Sequence, residues 1–312
     1  MILLSVIAAI LPMLIYLFFL WKFDKNEPEP IKFVLYHFAY GATVAVILAI
    51  IGSKLLSFPL YFIFSEKITS LLKVIMIAPI IEELAKASLL FKTINNKNID
   101  NLTDGLIYGG AIGLGFGMTE NFLYFIVFSD SLETLLPIII MRTLFSAVMH
   151  TISTATIGGM MSIAKYSSEN KFAVSTIVGL LIAMFIHFVW NFSVSYSYTY
   201  IVGIIFMLLI ISIFMITFYF SLRFENRIIK RELENEVPSY FLLKLTTSKR
   251  FQKGWFLHPY QNQFIELTTK LAFRKHEVEI SNGNNELYRE EIESLREQIS
   301  ELIEIHIYNK SK

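Results

Sequence analysis

The sequence predicts an all-α fold, a polytopic transmembrane bundle of about seven helices followed by a helical, charged C-terminal tail. Of the 312 residues, 54% are hydrophobic and 17% are charged, whereas soluble chains average about 25% charged residues. The apolar residues form runs of about 20, the length at which a helix crosses a bilayer. The 90 residues from 223 to 312 hold 29 of the 53 charged side chains. We therefore predict a transmembrane domain over 1–222 and a cytosolic tail over 223–312.

The composition excludes several classes of protein. A mean hydropathy of +0.56 excludes a soluble enzyme. The formal net charge of +1 provides no bulk positive charge for the phosphate backbone, so no nucleic-acid partner is expected. Because the chain contains no cysteine, disulfides, thiolate metal sites, iron–sulfur clusters and a cysteine nucleophile are excluded together.

Seven apolar segments are each long enough to cross a hydrocarbon core of roughly 30 Å. Aromatic residues typical of the membrane interface lie at the end of the first span, Trp21, and at the start of the last, Tyr200. In chain order, the predicted spans are 2–21, 33–51, 71–91, 106–128, 135–163, 172–194 and 200–222.

The distribution of Lys and Arg predicts the orientation. The loops after the first, third, fifth and seventh spans hold 11 of these residues near the membrane, and the alternate loops hold three. Because positive charge favours the inner side, the N-terminus is predicted outside and the tail inside. The membrane expected is the plasma membrane, which places the tail in the cytosol.

An amphipathic helix is predicted within the tail, over 287–307. Its apolar positions recur every three to five residues among Glu, Arg and Gln, which is the pattern of a helix with one apolar face. That face predicts packing on the preceding helical segment or self-association with a second copy, and a regulatory partner surface is the alternative. The positions are Leu287, Ile292, Leu295, Ile299, Leu302 and Ile305.

Four polar side chains lie at similar depth in four predicted spans. Glu82 is at the middle of its span, and Glu120, His150 and His187 lie 15 or 16 residues from the charged residue at the inner end of theirs. That separation is about 22 to 24 Å at about 1.5 Å per residue. A charged group at mid-membrane costs at least about 2.5 to 3.5 kcal/mol, so such groups mark a site by default. A structural network of interhelical hydrogen bonds is the alternative.

Spacing within the spans adds supporting residues. Lys86 is three residues after Glu83 and four after Glu82, so it can pair with either carboxylate on one helix face. Asn191 follows His187 by one turn. Pro79 precedes the acids and would loosen the helix where they begin. Arg142, eight residues before His150, is a further supporting candidate, although it could instead lie at the interface or pair with Glu133.

Two kinds of chemistry fit these residues. Two imidazoles and a carboxylate are the ligands of an open catalytic zinc, and a second Glu would then serve as the base; the ligands would be Glu120, His150 and His187. Without a metal, a Glu could activate water directly while His and Asn stabilise the oxyanion. The cofactor is therefore either none or one zinc ion. The proximity of Lys86 to the acids, and the presence of only two His at this depth, favour the metal-free alternative.

The same residues resemble the motifs of the PrsW family of intramembrane proteases, over about residues 1–222. Flanking segments, Asp24 to Pro30 and Asp104-Gly105, resemble that family's signatures as well. The related CAAX-protease and bacteriocin-immunity group would have EExxxR and FxxxH, whereas position 87 is Ala here and position 120 is Glu. The matching motifs, in family order, are EExxK at Glu82 to Lys86, FxxxE at Phe116 to Glu120, His150, and a second His motif at His187 to Asn191.

The resemblance implies an intramembrane endopeptidase that cleaves another membrane protein within or beside its membrane segment. In that family the substrate is typically a single-span anti-sigma factor already trimmed outside, and its cleavage releases a transcription factor. The implied catalytic residues are Glu82, Glu83, Glu120, His150 and His187, and the implied supporting residues are Lys86 and Asn191; Arg142 stays a supporting candidate because of its position before His150. Two other functions remain open, a proton-coupled transporter and a non-catalytic membrane scaffold or sensor.

Overall fold

The computed structural model describes residues 1–128, 130–281 and 286–310. All regular secondary structure within these residues is helical, which confirms the predicted all-α class. The helices are α1 (Ile2–Phe23), α2 (Ile31–Phe62), α3 (66–93), α4 (Leu102–Val127), α5 (Leu132–Ala164), α6 (Glu169–Val194), α7 (Tyr200–Leu233), α8 (Ser239–Leu245), α9 (Gln261–Ile280) and α10 (Glu286–Lys310), with a short 3-10 helix at Ser248–Phe251.

Six of the described helices, α1, α2 and α4 to α7, are long and apolar enough to cross a membrane. The chain is therefore a multi-pass membrane protein whose helices contact lipid. The remaining predicted span, 71–91, lies within α3 but is not among these six. Its two acids and Lys86 in the middle, together with Lys73 and Lys92, make it more charged than the others. The count of seven spans therefore stays a prediction.

The chain divides into two compact units. The first comprises Met1–Asp24 and Glu29–Phe218, and the second comprises Lys25–Pro28 and Tyr219–Lys312. The segment after α1 belongs to the second unit because Asn26 donates hydrogen bonds to the Leu222 carbonyl at 3.1 Å and to Glu225 at 2.9 Å. The assignment of a membrane domain and a cytosolic tail to the two sides of residue 222 stays a prediction.

Helix α4 lies at the centre of the first unit. It packs most extensively against α5 and also against α1 and α2. Its N-terminus is fixed by a capping box, in which Asn101 accepts hydrogen bonds from the start of the helix and Asp104 accepts from the Asn101 N–H. A central, capped helix places Glu120 at a constant position among its neighbours.

The amphipathic helix of the tail packs within the second unit. Ile292, Leu295, Ile299 and Leu302 of α10 are buried in a core that includes Phe264 of α9. Packing on the preceding helix was one of the predicted alternatives, and self-association through α10 stays a prediction. The side chain of Leu287 lies outside the described residues.

A partly exposed ion pair also links elements of the second unit. Arg296 of α10 donates to both carboxylate oxygens of Glu236, at 2.6 and 3.0 Å. This bidentate bond, assisted by Lys275, lowers the pKa of Glu236. Glu236 therefore remains ionised at neutral pH and holds α10 close to the end of α7.

The orientation gives a first prediction. A reporter fused to the C-terminus should be active only on the inner side, and one inserted at Ser131 only on the outer side, because of the 11-to-three Lys/Arg asymmetry. Paired alkaline phosphatase and fluorescent-protein fusions at both positions measure this. The reverse pattern at both positions would contradict the orientation.

Candidate active site

Four helices of the first unit bring the predicted site residues together. Helix α3 carries two carboxylates and a lysine, α4 a carboxylate, α5 an arginine and a histidine, and α6 a second histidine. Contacts within 4 Å join these side chains in one continuous network. Its members are Glu82, Glu83, Lys86, Glu120, Arg142, His150 and His187.

Glu83 is the fixed acid of the pair on α3. Lys86 Nζ donates to Glu83 Oε1 at 2.6 Å, and neither side chain is exposed. The same oxygen accepts from His187 Nδ1 at 2.8 Å, and the Thr154 hydroxyl lies 3.5 Å from the other oxygen. Because His187 donates from Nδ1, its lone pair is on Nε2. Glu83 thus sets the tautomer and the orientation of this imidazole.

His150 connects the lysine of α3 to the acid of α4. Lys86 Nζ lies 3.0 Å from His150 Nδ1, and since an ammonium can only donate, Nδ1 is the accepting nitrogen. The proton is therefore on Nε2, which donates to Glu120 Oε2 at 2.7 Å. Arg142 donates to the same carboxylate oxygen at 2.6 Å. Both the imidazole and the guanidinium thus compensate the charge of Glu120.

Glu82 differs from the other two acids because no cation is bonded to it. Its Oε2 atom is buried and has no hydrogen-bond partner among the described residues. This oxygen lies 3.8 Å from His187 Nε2, the nitrogen that carries the lone pair. Two acceptors therefore face each other across a gap, and a metal ion, or a water that donates to both atoms, would satisfy them.

The site opens on the side of Glu82, Glu120 and Arg142. The exposed fractions of these side chains are 13%, 23% and 14%, whereas those of His150 and His187 are 1% and 2%. A substrate backbone would therefore meet a carboxylate and a guanidinium first. The imidazoles form the buried base of the site.

Comparison with known proteins identifies the family of this chain. The sequence profile described as "PrsW family intramembrane metalloprotease" matches residues 29–219. The chain belongs to the PrsW family. It is similar to Protease PrsW of Clostridioides difficile strain 630, with 30% identity over 59% of this chain and 76% of the relative. It is also similar to Protease PrsW of Geobacillus kaustophilus strain HTA426, with 26% identity over 53% and 68% of the two chains. No solved structure shows significant similarity to the chain.

Membership of the PrsW family makes the chain an intramembrane peptidase, and it favours this activity over the transporter and the scaffold. All the site residues, from Glu82 to Asn191, lie within the matched range of 29–219. Most of the second unit lies beyond it. The resemblance found in the four ordered motifs is therefore confirmed at the level of the family.

The family description implies a metal, and the residues present fit one. One ligand atom from each of Glu82, His150 and His187 lies within 4.8 Å of the other two. Glu82 Oε2 lacks a partner, and the Glu83 carboxylate accepts from the distal nitrogen of His187, as carboxylates do behind metal-bound imidazoles. This set contains Glu82 where the sequence predicted Glu120, because Glu120 is bonded to Arg142 and His150. The Lys86 ammonium that favoured a metal-free site is bonded to Glu83 and forms no ion pair with Glu82 among the described residues.

Four side chains in the site were not among the predicted site residues. The Phe116 ring lies 4.5 Å from Lys86 Nζ, and the Tyr124 ring lies 3.6 Å from the Arg142 guanidinium carbon. Asn121 accepts from Arg142 at 3.0 Å, and Thr154 contacts Glu83. Helical spacing could have indicated three of these side chains, because residues four apart share a helix face. Phe116 and Tyr124 are each one turn from Glu120, and Thr154 is one turn from His150.

The glycines of α4 explain how α5 comes close enough to form the site. A Cβ atom at Gly109 or Gly113 would collide with the backbone carbonyl of Thr154 or of His150, respectively. The absence of a side chain lets the two helices pack backbone to backbone at the level of the histidine. These glycines therefore serve close helix packing.

Asn191 has a different position from the one expected. In the π-helical stretch Lys73–Ile77 of α3, the Ala78 N–H donates to the carbonyl five residues back. The next carbonyl, that of Val74, would need an N–H from position 79, which is a proline. Asn191 Nδ2 donates to this carbonyl at 2.9 Å instead. Asn191 thus fastens α6 to α3 and does not contact the acids, so it serves as a positioning residue.

This arrangement gives a second prediction. Asn191→Leu should lower turnover by about 10-fold, because the Val74 carbonyl loses its hydrogen bond to α6 and the segment before Glu82 loosens. Adding Pro79→Ala should restore most of the activity, since residue 79 then supplies the missing N–H. Turnover of both variants against wild type measures this.

The matched control is Ser195→Ala, which removes a polar group that bonds only within the end of α6. It should leave turnover unchanged. Equal losses in Asn191→Leu with and without Pro79→Ala would contradict the proposed link between α6 and α3.

Proposed function

We propose that this chain cleaves a peptide bond of a single-span membrane protein, within or near its membrane segment. The observation that carries the proposal is the gap between Glu82 Oε2 and His187 Nε2, 3.8 Å apart. It lies between the partly exposed Glu82 side chain and the buried His187 at the base of the site. A water in this gap would donate to both atoms, and its remaining lone pairs would be directed at an incoming carbonyl carbon.

In the metal-free form of this mechanism Glu82 acts as the general base. It takes a proton from the water as the oxygen attacks the scissile carbonyl, and it passes that proton to the leaving amine. The buried Glu83 carboxylate keeps His187 in the tautomer that leaves Nε2 available. The two adjacent acids therefore have different roles, one reacting and the other orienting.

The opposite side of the site stabilises negative charge. Arg142 is partly exposed beside Glu120, where the carbonyl oxygen of a substrate would enter from the open side. A cation held there by Glu120 and Asn121 is pre-oriented for an oxyanion. His150, bonded to Lys86 and Glu120, connects this side to the acids of α3.

The metal-dependent form of the mechanism uses Glu82, His150 and His187 as ligands. To contribute, His150 would bind through Nε2, whose proton would pass to the Glu120 carboxylate, while Nδ1 would keep its bond with Lys86. When bound, zinc supplies a Lewis acid that polarises a carbonyl and makes water more acidic. We propose this form over the metal-free one because the donor set and the Glu83 carboxylate behind His187 match those of catalytic zinc.

The substrate class follows from the family resemblance and from the position of the site among membrane helices. We propose a single-pass, anti-sigma-factor-like protein cleaved in a regulatory pathway, at the plasma membrane, with the C-terminal tail of the protease in the cytosol. Such a substrate would reach the partly exposed Glu82 and Arg142 from the lipid.

The test is co-expression of doubly tagged single-span membrane proteins, including anti-sigma factors, with wild-type protease or with Glu82→Gln. The wild type should produce a fragment cut within or near the span, mapped by mass spectrometry, and the variant should not. Identical fragments in both strains, or none with any candidate in purified proteoliposomes, would overturn the proposal.

A further inference from the structure

The second unit contains a cavity of about 820 Å³ between the end of α7 and α8. One wall comes from α7, where Tyr219, Arg223, Arg227 and Lys230 follow one another at intervals of three or four residues. This spacing aligns their side chains on one helix face. The opposite wall comes from α8 and the two threonines that follow it.

The charges around this cavity have one sign. Arg223, Arg227 and Lys230 line it, and no Asp or Glu does. Among the described residues none of the three takes part in an ion pair, whereas the adjacent Arg231 pairs with Glu232 and Glu279. Three uncompensated cations on one face repel one another. An anion in the cavity would relieve that repulsion.

The position along α7 indicates where such an anion would come from. Arg223 is the first charged residue after Lys171, so it follows directly on the apolar stretch that crosses the membrane. The cavity lining also includes Phe220 and Leu243, which are each 58% exposed. Cations next to exposed apolar side chains, at the end of a membrane span, match a ligand with a phosphate head and acyl chains.

We propose that this cavity binds the phosphate headgroup of an anionic phospholipid from the surrounding bilayer. The guanidinium groups and the ammonium bind the phosphate oxygens, and the aromatic and leucine side chains contact the start of the acyl chains. The lipid would fix the end of α7 relative to α8. The site is separate from the protease residues and does not depend on the proposed function.

The experiment is native mass spectrometry of the detergent-purified full-length protein, titrated with phosphatidylglycerol or with phosphatidylcholine of the same chains. Phosphatidylglycerol should bind at least about 10-fold more tightly to the wild type. Arg227→Gln/Lys230→Gln should weaken that binding by about 30-fold, since each cation near an anionic headgroup contributes roughly 5-fold. Lys249→Gln/Lys253→Gln removes the same charge outside the cavity and should change affinity less than about 2-fold.

Two further measurements separate the outcomes. Raising the salt concentration should weaken binding of phosphatidylglycerol to the unmodified protein, which tests the charge requirement without any substitution. Inorganic phosphate should compete with the lipid only weakly. Equal affinity for the two lipids, equal loss in both double variants, or full displacement by millimolar phosphate would overturn the lipid assignment.

Discussion

Glu82→Gln is expected to reduce turnover by at least about 100-fold, because it removes a ligand in the metal-dependent form and the general base in the metal-free form, while the protein inserts and folds as the wild type does. The amide keeps the shape of the side chain and removes its charge. No hydrogen bond is lost, since Glu82 Oε2 has no partner among the described residues. Initial rates on a purified single-span substrate in proteoliposomes, with thermal unfolding measured in parallel, check both parts.

Glu83→Gln should behave differently although it lies one residue away. It leaves Lys86, which is fully buried, without its carboxylate, and breaking a buried ion pair costs about 3–5 kcal/mol. We therefore expect loss of activity together with a lower unfolding temperature. This contrast distinguishes the reacting acid from the orienting one.

The matched control for both variants is Glu133→Gln, an exposed acid in the first turn of α5. It should alter neither turnover nor unfolding. Turnover within a few-fold of wild type in Glu82→Gln would remove Glu82 from the chemistry, whatever its effect on stability.

Metal removal should have the second large effect. Purified protein is expected to contain about one zinc ion per chain, and a strong chelator should abolish activity until zinc is added back, as at sites with two His and one carboxylate. His187→Ala should lose both the metal and the activity, because Nε2 is the donor with a free lone pair. Elemental analysis and turnover before and after chelation measure this.

His276→Ala controls for metal bound elsewhere, since Glu232, His276 and Glu279 form another group of potential ligands in the second unit. This variant should keep its activity and its chelator sensitivity. Full activity in a chelated protein with almost no zinc would instead support the metal-free mechanism, in which Glu82 alone activates the water.

The sequence determined the helices and the composition of the site for local reasons. A segment in lipid must satisfy its backbone within its own helix, so runs of apolar residues are sufficient to predict helices such as α1 and α6. Charged groups in such runs are costly, so Glu82, Glu120, His150 and His187 stand out before any contact is known. The order of these residues in the chain was enough to indicate the family.

Only the tertiary structure decided how these residues are paired. On α3 alone, Lys86 can reach Glu82 or Glu83 equally well, because both spacings lie on one face. In the folded protein Lys86 bonds to Glu83 and to His150 of α5, and His187 of α6 also bonds to Glu83. Glu82 is left without such a bond. The role of Asn191 depends on the Val74 carbonyl of α3. This carbonyl has no backbone partner because Pro79 has no N–H, and Asn191 of α6 donates to it instead. Such choices depend on contacts between distant segments, and spacing within one segment carries no information about them.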